Sequence, residues 1–316
     1  VNVAEEVLQA EQRIRPHIRE TPLEYSPQLS IMTGGKVYLK LENWQHSGSF
    51  KVRGALSKLL TLSPEQRAQG VVAASSGNHG IAAAFGLQVL GSKGIIFVPE
   101  DASSAKVEAI RRYGAEVRFF GKDCLLAEEY ARDYAQRHNM LYISPYNDSQ
   151  VIGGQGTIAV ELARQIEHAD RVYVALGGGG LISGIAGYLK QVWPEVAVVG
   201  CSPANSPLMI EAVQAGQIVD RESLPTLSDG TAGGIEAGAI TFPLCQQLVD
   251  DYAQVSEEAI REAMRLIIAD HHMLIEGAAG VAVAALLQEK EQLAGQTAIV
   301  VLCGANISLE TLRTVI

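Results

Sequence analysis

Lys51 lies in Ser47-Gly48-Ser49-Phe50-Lys51-Val52-Arg53-Gly54-Ala55, an amine between apolar Phe50 and Val52 with small residues on either side. Most lysines are solvated surface charges, but this frame shields the side chain from water. A desolvated lysine has a lowered pKa, so more of it is the neutral amine that attacks a carbonyl carbon. Far downstream, Gly177-Gly178-Gly179-Gly180 follows the apolar run Val172 to Ala175 and precedes a helical pattern from Leu181 to Val192. Such a run places free amides at a helix N-terminus, where N–H groups and the positive end of the dipole hold a phosphate. A nucleophilic amine and a cradle for one phosphate are what a Schiff-base cofactor needs, and pyridoxal phosphate is the cofactor expected.

Two competitors for the glycine run fail on spacing. Gly177 and Gly179 lead to Ile182, and Gly178 and Gly180 lead to Ser183, so neither register of GxGxxG is met. The next strand ends in Val199-Gly200-Cys201-Ser202, with no acid for a ribose, and no GK[ST] occurs here. A second loop, Ser75-Ser76-Gly77-Asn78-His79-Gly80, closes one apolar run and opens another helix. One helix cap needs one hydroxyl. This loop offers two hydroxyls, an amide and an imidazole, enough to hold a carboxylate and present a donor to a ring.

These loops need a scaffold that brings them together. Runs rich in Val, Ile and aromatics (Val37 to Leu41, Val71 to Ala74, Ile95 to Val98, Val117 to Phe120, Leu141 to Ile143, Val172 to Ala175, Val196 to Val199, Ala298 to Leu302) alternate with helical patterns. Several are apolar throughout, which predicts parallel strands covered on both faces. Ser63-Pro64-Glu65-Gln66 reads as a capping box with proline at the first helical position, and Gly114 ends the helix through Arg111 and Arg112. Polar and Gly-rich loops cluster at Ser75 to Gly80 and at Gly177 to Gly184 instead of following every strand. That favours open sheets over a closed eight-stranded barrel. No linker or internal repeat divides the chain, so crossings between two domains are expected near Leu62 to Ala68 and Ser144 to Ser149.

Composition narrows the partners. The 316 residues are 47% hydrophobic and carry a formal net charge of -10. That suits a compact protein with a small-molecule partner and disfavours nucleic acid or an anionic membrane. Cys124, Cys201, Cys245 and Cys303 are far apart in apolar runs, so neither a metal knuckle nor a disulfide framework is expected. The N-terminal residues carry acids at helical spacing, unlike a signal or transit peptide, and no apolar stretch reaches the roughly 20 residues of a membrane span. A cytoplasmic protein is expected.

Ser49-Phe50-Lys51-Val52-Arg53-Gly54-Ala55, Ser75-Ser76-Gly77-Asn78-His79-Gly80, Gly177 to Gly180 with Leu181, and Cys303-Gly304-Ala305-Asn306 resemble, in order, the signatures of the fold-type II pyridoxal-phosphate enzymes. The branch is similar to serine/threonine dehydratase and serine racemase, and Asn78-His79 separates it from the cysteine synthases, whose loop carries Asn-Thr. The resemblance implies a tryptophan synthase β-like α/β fold of two open, mostly parallel twisted sheets with helices on both faces. Residues 1–65 and 146–316 would form the large cofactor-binding domain and 66–145 the small one. Lys51 would bond the cofactor's aldehyde carbon and remove the substrate Cα proton. Phe50 would pack beside the ring and Asn78 would bond its phenolic oxygen. Gly177, Gly178, Gly179, Gly180 and Leu181 would hold the phosphate, and Cys303 would meet the pyridine nitrogen. Ser75, Ser76, Gly77 and His79 would bind the substrate carboxylate, with Ser76 across the ring from Lys51.

The activity implied is α,β-elimination on a β-hydroxy-L-amino acid, threonine or serine, by a homodimer. Serine racemisation and 3-hydroxyaspartate dehydration are alternatives, and a non-catalytic cofactor carrier is a remote one. Ser202-Pro203 stands where the racemase branch begins a divalent-metal site with Glu-Pro, and Leu208 falls where another acid would, so no metal is expected. Tyr146 departs from the smaller or differently polar residue expected in its loop. The sequence ends about ten residues past Asn306, so isoleucine feedback through a C-terminal regulatory domain is not expected. His271-His272 point about 100° apart on a helix and cannot share a metal. Glu276 reads equally as a residue near the cofactor or a helix-start acid, and Gly233-Gly234 as a close approach or a turn.

Overall fold

The computed structural model describes residues 2–122 and 124–316. Among them, the strands are β1 Leu23–Tyr25, β2 Lys36–Lys40, β3 Val71–Ala74, β4 Gly94–Val98, β5 Glu116–Phe119, β6 Leu141–Tyr142, β7 Arg171–Ala175, β8 Ala197–Pro203, β9 Asp251–Val255 and β10 Thr297–Val301. Six of them form one sheet in the order β1-β2-β10-β7-β8-β9, and four form another in the order β5-β4-β3-β6. All pairings are parallel except β1 with β2. The second sheet draws only on residues between Val71 and Tyr142. Each sheet has its own apolar core, one built around β2, β7, β8 and β10, the other around β3, β4 and their helices.

The strands read from sequence fall within a few residues of those observed. β1 and β9 were not expected, and both lie at sheet edges. Asp251-Tyr252-Ala253-Gln254-Val255 alternates exposed and buried residues, so it lacks the unbroken apolar signature of the central strands. The capping box at Ser63 and Gln66 is formed, and the crossing expected at 62–68 is largely taken up by the helix Pro64–Gln69. Cys124 is exposed, whereas Cys201, Cys245 and Cys303 are buried.

In open parallel sheets a ligand binds beyond the carboxyl ends of strands, where the strand order reverses. In the six-stranded sheet the reversal lies between β10 and β7. Lys51 follows β2, the glycine run follows β7 and Cys303 follows β10. In the four-stranded sheet it lies between β3 and β6, which lead into Ser75–Gly80 and into Ile143 to Tyr146.

The helix Ser149–Gln165 is the common backing for two of these loops. It packs against the helix Lys51–Leu60 and the helix Gly180–Val192. A Cβ at Gly154 would lie 2.5 Å from the Arg53 carbonyl oxygen, and one at Gly184 would lie 2.3 Å from that of Ile152. Small residues therefore set the spacing of the lysine helix and the glycine-loop helix. The same backing holds a buried ionic cluster. Arg53 makes a two-pronged contact with Glu42 at 2.7 and 2.8 Å and another with Glu161 at 2.8 and 2.9 Å. Lys40 bonds Glu161 at 2.6 Å and the Thr21 carbonyl at 2.7 Å. Burial opposes the charge on Glu161, yet Arg53 and then Lys40 hold its pKa down at about 2.

Candidate active site

The chain turns into Lys51 through Ser47 and Gly48, with φ of 61° and 75°. A Cβ at Gly48 would lie 2.8 Å from Asn306 Oδ1. Ser49 then bridges to Gly304, the Phe50 N–H donates to the Cys303 carbonyl at 3.0 Å, and the Ala305 N–H donates to the Gly48 carbonyl at 2.9 Å. These bonds stitch the lysine segment to the end of β10. Lys51 Nζ donates to the Pro145 carbonyl at 3.0 Å and stands 5.2 Å from the centre of the Phe50 ring. Desolvation lowers its pKa to about 8, opposed in part by Cys303, Glu128 and Glu276. The amine thus has the depressed basicity that its apolar frame predicts.

Gly179 has φ of 86° and caps the helix Gly180–Val192. Its neighbours tolerate no side chain either. A Cβ at Gly178 would fall 2.5 Å from the Tyr146 ring, and one at Gly177 would fall 2.9 Å from Thr231 Cα. Tyr146, left open by sequence, therefore lies against the glycine loop. Its hydroxyl accepts the Glu236 N–H at 2.8 Å. Asn147 donates to Glu236 Oε2 at 2.8 Å and accepts from the Ile240 N–H at 2.9 Å. Arg132 pairs with Glu128 and with Glu236. Leu181 is buried in the core beneath the loop. Gly233 and Gly234 are exposed, and a Cβ added to either would meet no protein atom within 4 Å.

After β3, the Ser75 hydroxyl accepts the Gly77 N–H at 3.0 Å, and the helix Asn78–Leu90 begins. The Ile81 N–H is bonded to the Gly77 carbonyl, so the amides of Asn78, His79 and Gly80 precede the first intrahelical bond. Ser76 is buried at this turn. The His79 ring is turned away from the loop and meets the Ile143 carbonyl at 2.9 Å. Burial, with Lys51 nearby, pushes its pKa down to about 3, so the ring is neutral and donates that bond. What His79 offers an anion is therefore its main-chain N–H.

Cys303 is buried at the end of β10, and burial raises its thiol pKa well above the ordinary value. Beside it lies a group whose connections sequence reasoning missed. Glu276 is the N-cap residue of the helix Gly277–Gln288, but its side chain makes no capping hydrogen bond to it. Its Oε1 accepts from Asn78 Nδ2 at 2.8 Å, and its Oε2 accepts the Asn306 N–H at 3.0 Å. Burial and the nearby Asp229 push its pKa up to about 7. The available signal was the pairing of Glu276 with the Asn306 that ends the Cys303 motif, but nothing in their sequence spacing links them. His271 bonds the Ser26 hydroxyl at 2.8 Å, and Ser202 donates to the Leu176 carbonyl at 2.7 Å.

The arrangement fits a pyridoxal phosphate on three counts. A lysine of lowered pKa is held by the Pro145 carbonyl while the ring of the next residue, Tyr146, covers Gly178, so amine and glycine loop share one wall. The loop precedes the helix Gly180–Val192 with its main chain packed too closely on Tyr146, Thr231 and Cys245 for any side chain, which leaves backbone amides as what it offers a phosphate. Cys303 and Asn78 are brought to the same end of the two sheets as Lys51.

Residues 14–304 match the family described as pyridoxal-phosphate dependent enzyme. An L-threonine ammonia-lyase of Thermotoga maritima is 38% identical over 99% of this chain and 77% of its own length. The processed threonine deaminase isoform 2 of Solanum lycopersicum superposes with a TM-score of 0.95 at 31% identity, covering 99% of this chain and 86% of that one. Maize serine racemase gives 0.93 at 30% identity, covering 98% and 95%. Motif, fold and site geometry converge with these likenesses, and the chain belongs to the family of pyridoxal-phosphate-dependent enzymes.

Proposed function

We propose that the protein is an ammonia-lyase that dehydrates a β-hydroxy-L-amino acid, threonine or serine, to an enamine whose hydrolysis takes the water back up and gives a 2-oxo acid and ammonia. The observation that carries this is Lys51 Nζ, of lowered pKa, held at the meeting point of both sheets' reversal loops. When bound, the cofactor supplies an electrophilic carbon for the amino group and a sink for the electron pair left at Cα.

The chain's residues do the rest. Lys51 would hold the cofactor through Nζ and, once freed, would take the substrate Cα proton as a neutral base. Phe50 packs beside the ring. The amides of Gly177, Gly178, Gly179, Gly180 and Leu181 bind the phosphate. Asn78 donates to the phenolic oxygen, and Cys303 meets the pyridine nitrogen as a neutral partner that does not enforce a protonated ring. Ser75, Ser76, Gly77 and His79 hold the substrate carboxylate, His79 through its main chain. With Cα deprotonated, the Cβ–O bond would break and the hydroxide would leave as water with the proton that Lys51 took from Cα. The released enamine tautomerises and hydrolyses to the 2-oxo acid and ammonia. The test is a panel of β-hydroxy-L-amino acids scored by kcat/KM with detection of the keto acid. Product from L-threonine or L-serine is expected, and no product from any member would overturn the assignment.

Similarity to a serine racemase and the burial of Ser76 beside the carboxylate loop favour a second reading, a racemase side activity with Ser76 as the opposite-face acid. In the Ser76→Ala enzyme, elimination from the L-isomer should survive while D-product disappears. Retention of D-product would remove Ser76 from that role. The division into residues 1–65 with 146–316 and residues 66–145 is supported by sheet membership, since β3 to β6 all fall in the second part. A cytoplasmic homodimer completes the proposal. Among the described residues no helix is long and apolar enough to cross a membrane, and the dimer is carried by family likeness.

A further inference from the structure

The side-chain amide of Asn78 has a donor end and an acceptor end, and its neighbours decide which faces where. The Ser47 carbonyl, which can only accept, takes a hydrogen from Asn306 Nδ2 at 2.8 Å. That fixes the Asn306 amide, whose Nδ2 also donates to Asn78 Oδ1 at 2.6 Å. Asn78 Nδ2 in turn donates to Glu276 Oε1 at 2.8 Å. The relay therefore runs in one direction from the acceptor-only Ser47 carbonyl. Turning Asn306 over would set its oxygen against the Ser47 carbonyl, and turning Asn78 over would set its NH2 group against that of Asn306. Glu276 is itself held in place: its N–H donates to the Gly304 carbonyl at 3.0 Å, and Oε1 occupies the space where a Cβ at Gly304 would be, 2.5 Å away. One Nδ2 hydrogen of Asn78 is left uncommitted by this relay.

We propose that Glu276 and Asn306 are positioning residues that lock the Asn78 amide with its NH2 group toward the cofactor ring, so that the remaining hydrogen is donated to the phenolic oxygen. The inference rests on the reading above that Asn78 meets that oxygen. A donor there favours the ionised oxygen, whereas a reversed amide would present an oxygen to it and favour the protonated form. The lock thus sets the protonation state of the bound cofactor before any substrate arrives.

The test is the visible absorbance of the cofactor-loaded protein, titrated against pH without substrate, in the wild type and in Asn78→Ala, Asn306→Ala, Asn306→Asp and Glu276→Gln. Circular dichroism and the thermal midpoint confirm that each variant is folded. Asn306 is exposed, so its substitutions put the least strain on folding. Asn306→Asp and Glu276→Gln should move the balance of the two absorbing protonation states toward the protonated oxygen by about tenfold, the scale of one hydrogen bond to a charged group. Asn306→Ala should move it less. Asn78→Ala, which removes the donor altogether, should shift the balance in the same direction, and adding Asn306→Asp to it should change nothing more. A shift in Asn78→Ala with none in folded Asn306→Asp or Glu276→Gln overturns the lock while leaving the role of Asn78 intact. Full additivity in the double variant also overturns it, because the added charge alone would then account for the effect. No shift in Asn78→Ala removes the contact on which the lock depends. None of these readouts depends on turnover, so failure of the lyase assignment is distinguishable from each.

Discussion

Lys51 is both the residue most legible in the sequence and the one with the sharpest expected pH dependence. Its pKa is lowered to about 8, chiefly by desolvation. Only the neutral amine attacks an aldehyde, so the rate at which the cofactor-free protein takes up pyridoxal phosphate should rise through pH about 8. An exposed lysine would show its rise near pH ~10.4. Stopped-flow absorbance across that range checks this. Stability follows the same sign: the folded state disfavours the protonated amine, so the cofactor-free protein should gain stability as pH rises from about 8 toward the unfolded value. The lysine and the glycine run were readable because the chemistry demands those residue types with their immediate neighbours. Glu276, Asn306 and Tyr146 were not, because their meaning comes from partners far away in sequence: Asn78, Ser47 and the backbone of Gly178 and Glu236.

The helix Lys51–Leu60 is oriented by the ionic cluster two residues past the lysine, and this sets the prediction for that element. Arg53, Lys40, Glu42 and Glu161 are fully buried, and Glu161 meets both cations. Removing one partner strands an uncompensated charge, so Glu161→Gln should destabilise the protein by about 3–5 kcal/mol. Denaturant unfolding measures this, and a loss below about 1 kcal/mol, the scale of an exposed pair, would show that the cluster does not hold the helix. Arg53→Lys should not substitute, because a lysine cannot reproduce the two-pronged contacts to both carboxylates. In sequence, Arg53 was visible only as a member of the lysine motif, and nothing local marked Lys40 or Glu161 as buried. Central strands such as β3 and β4 were readable as unbroken apolar runs, whereas the edge strands β1 and β9 pair on one side only and carry mixed patterns.

Across the whole molecule, polar contacts tie the β3–β6 region to the rest around the site, among them Asn78 with Glu276 and Asn306, Lys106 with Asp229, and Arg132 with Glu236. Apolar contacts join the two parts as well, with Leu59 in the smaller core and Ala82 and Phe85 packed on Ile14, Ile18, Val52, Ala55 and Leu56. The polar contacts near the site are the weaker tethers, and they permit local movement of the segments they hold. Arg132→Ala should therefore speed amide hydrogen exchange in residues 231–240 while leaving the core strands β7 and β10 unchanged. Unaltered exchange in that segment would show that Arg132 does not tether it. The α/β class and the clustering of functional loops at the strand ends were legible from the alternation of apolar runs with helical patterns. The strand order was not, because β10, last in the chain, inserts between β2 and β7 through pairings no local pattern encodes.

The account turns on the bond between Lys51 Nζ and the aldehyde carbon of pyridoxal phosphate. Borohydride reduction of the cofactor-loaded protein, followed by proteolysis and mass spectrometry, reads that bond directly. The prediction is a single pyridoxyl-phosphate adduct on the peptide containing Lys51. An adduct on another lysine of a folded, cofactor-loaded protein, or none at all, would contradict it.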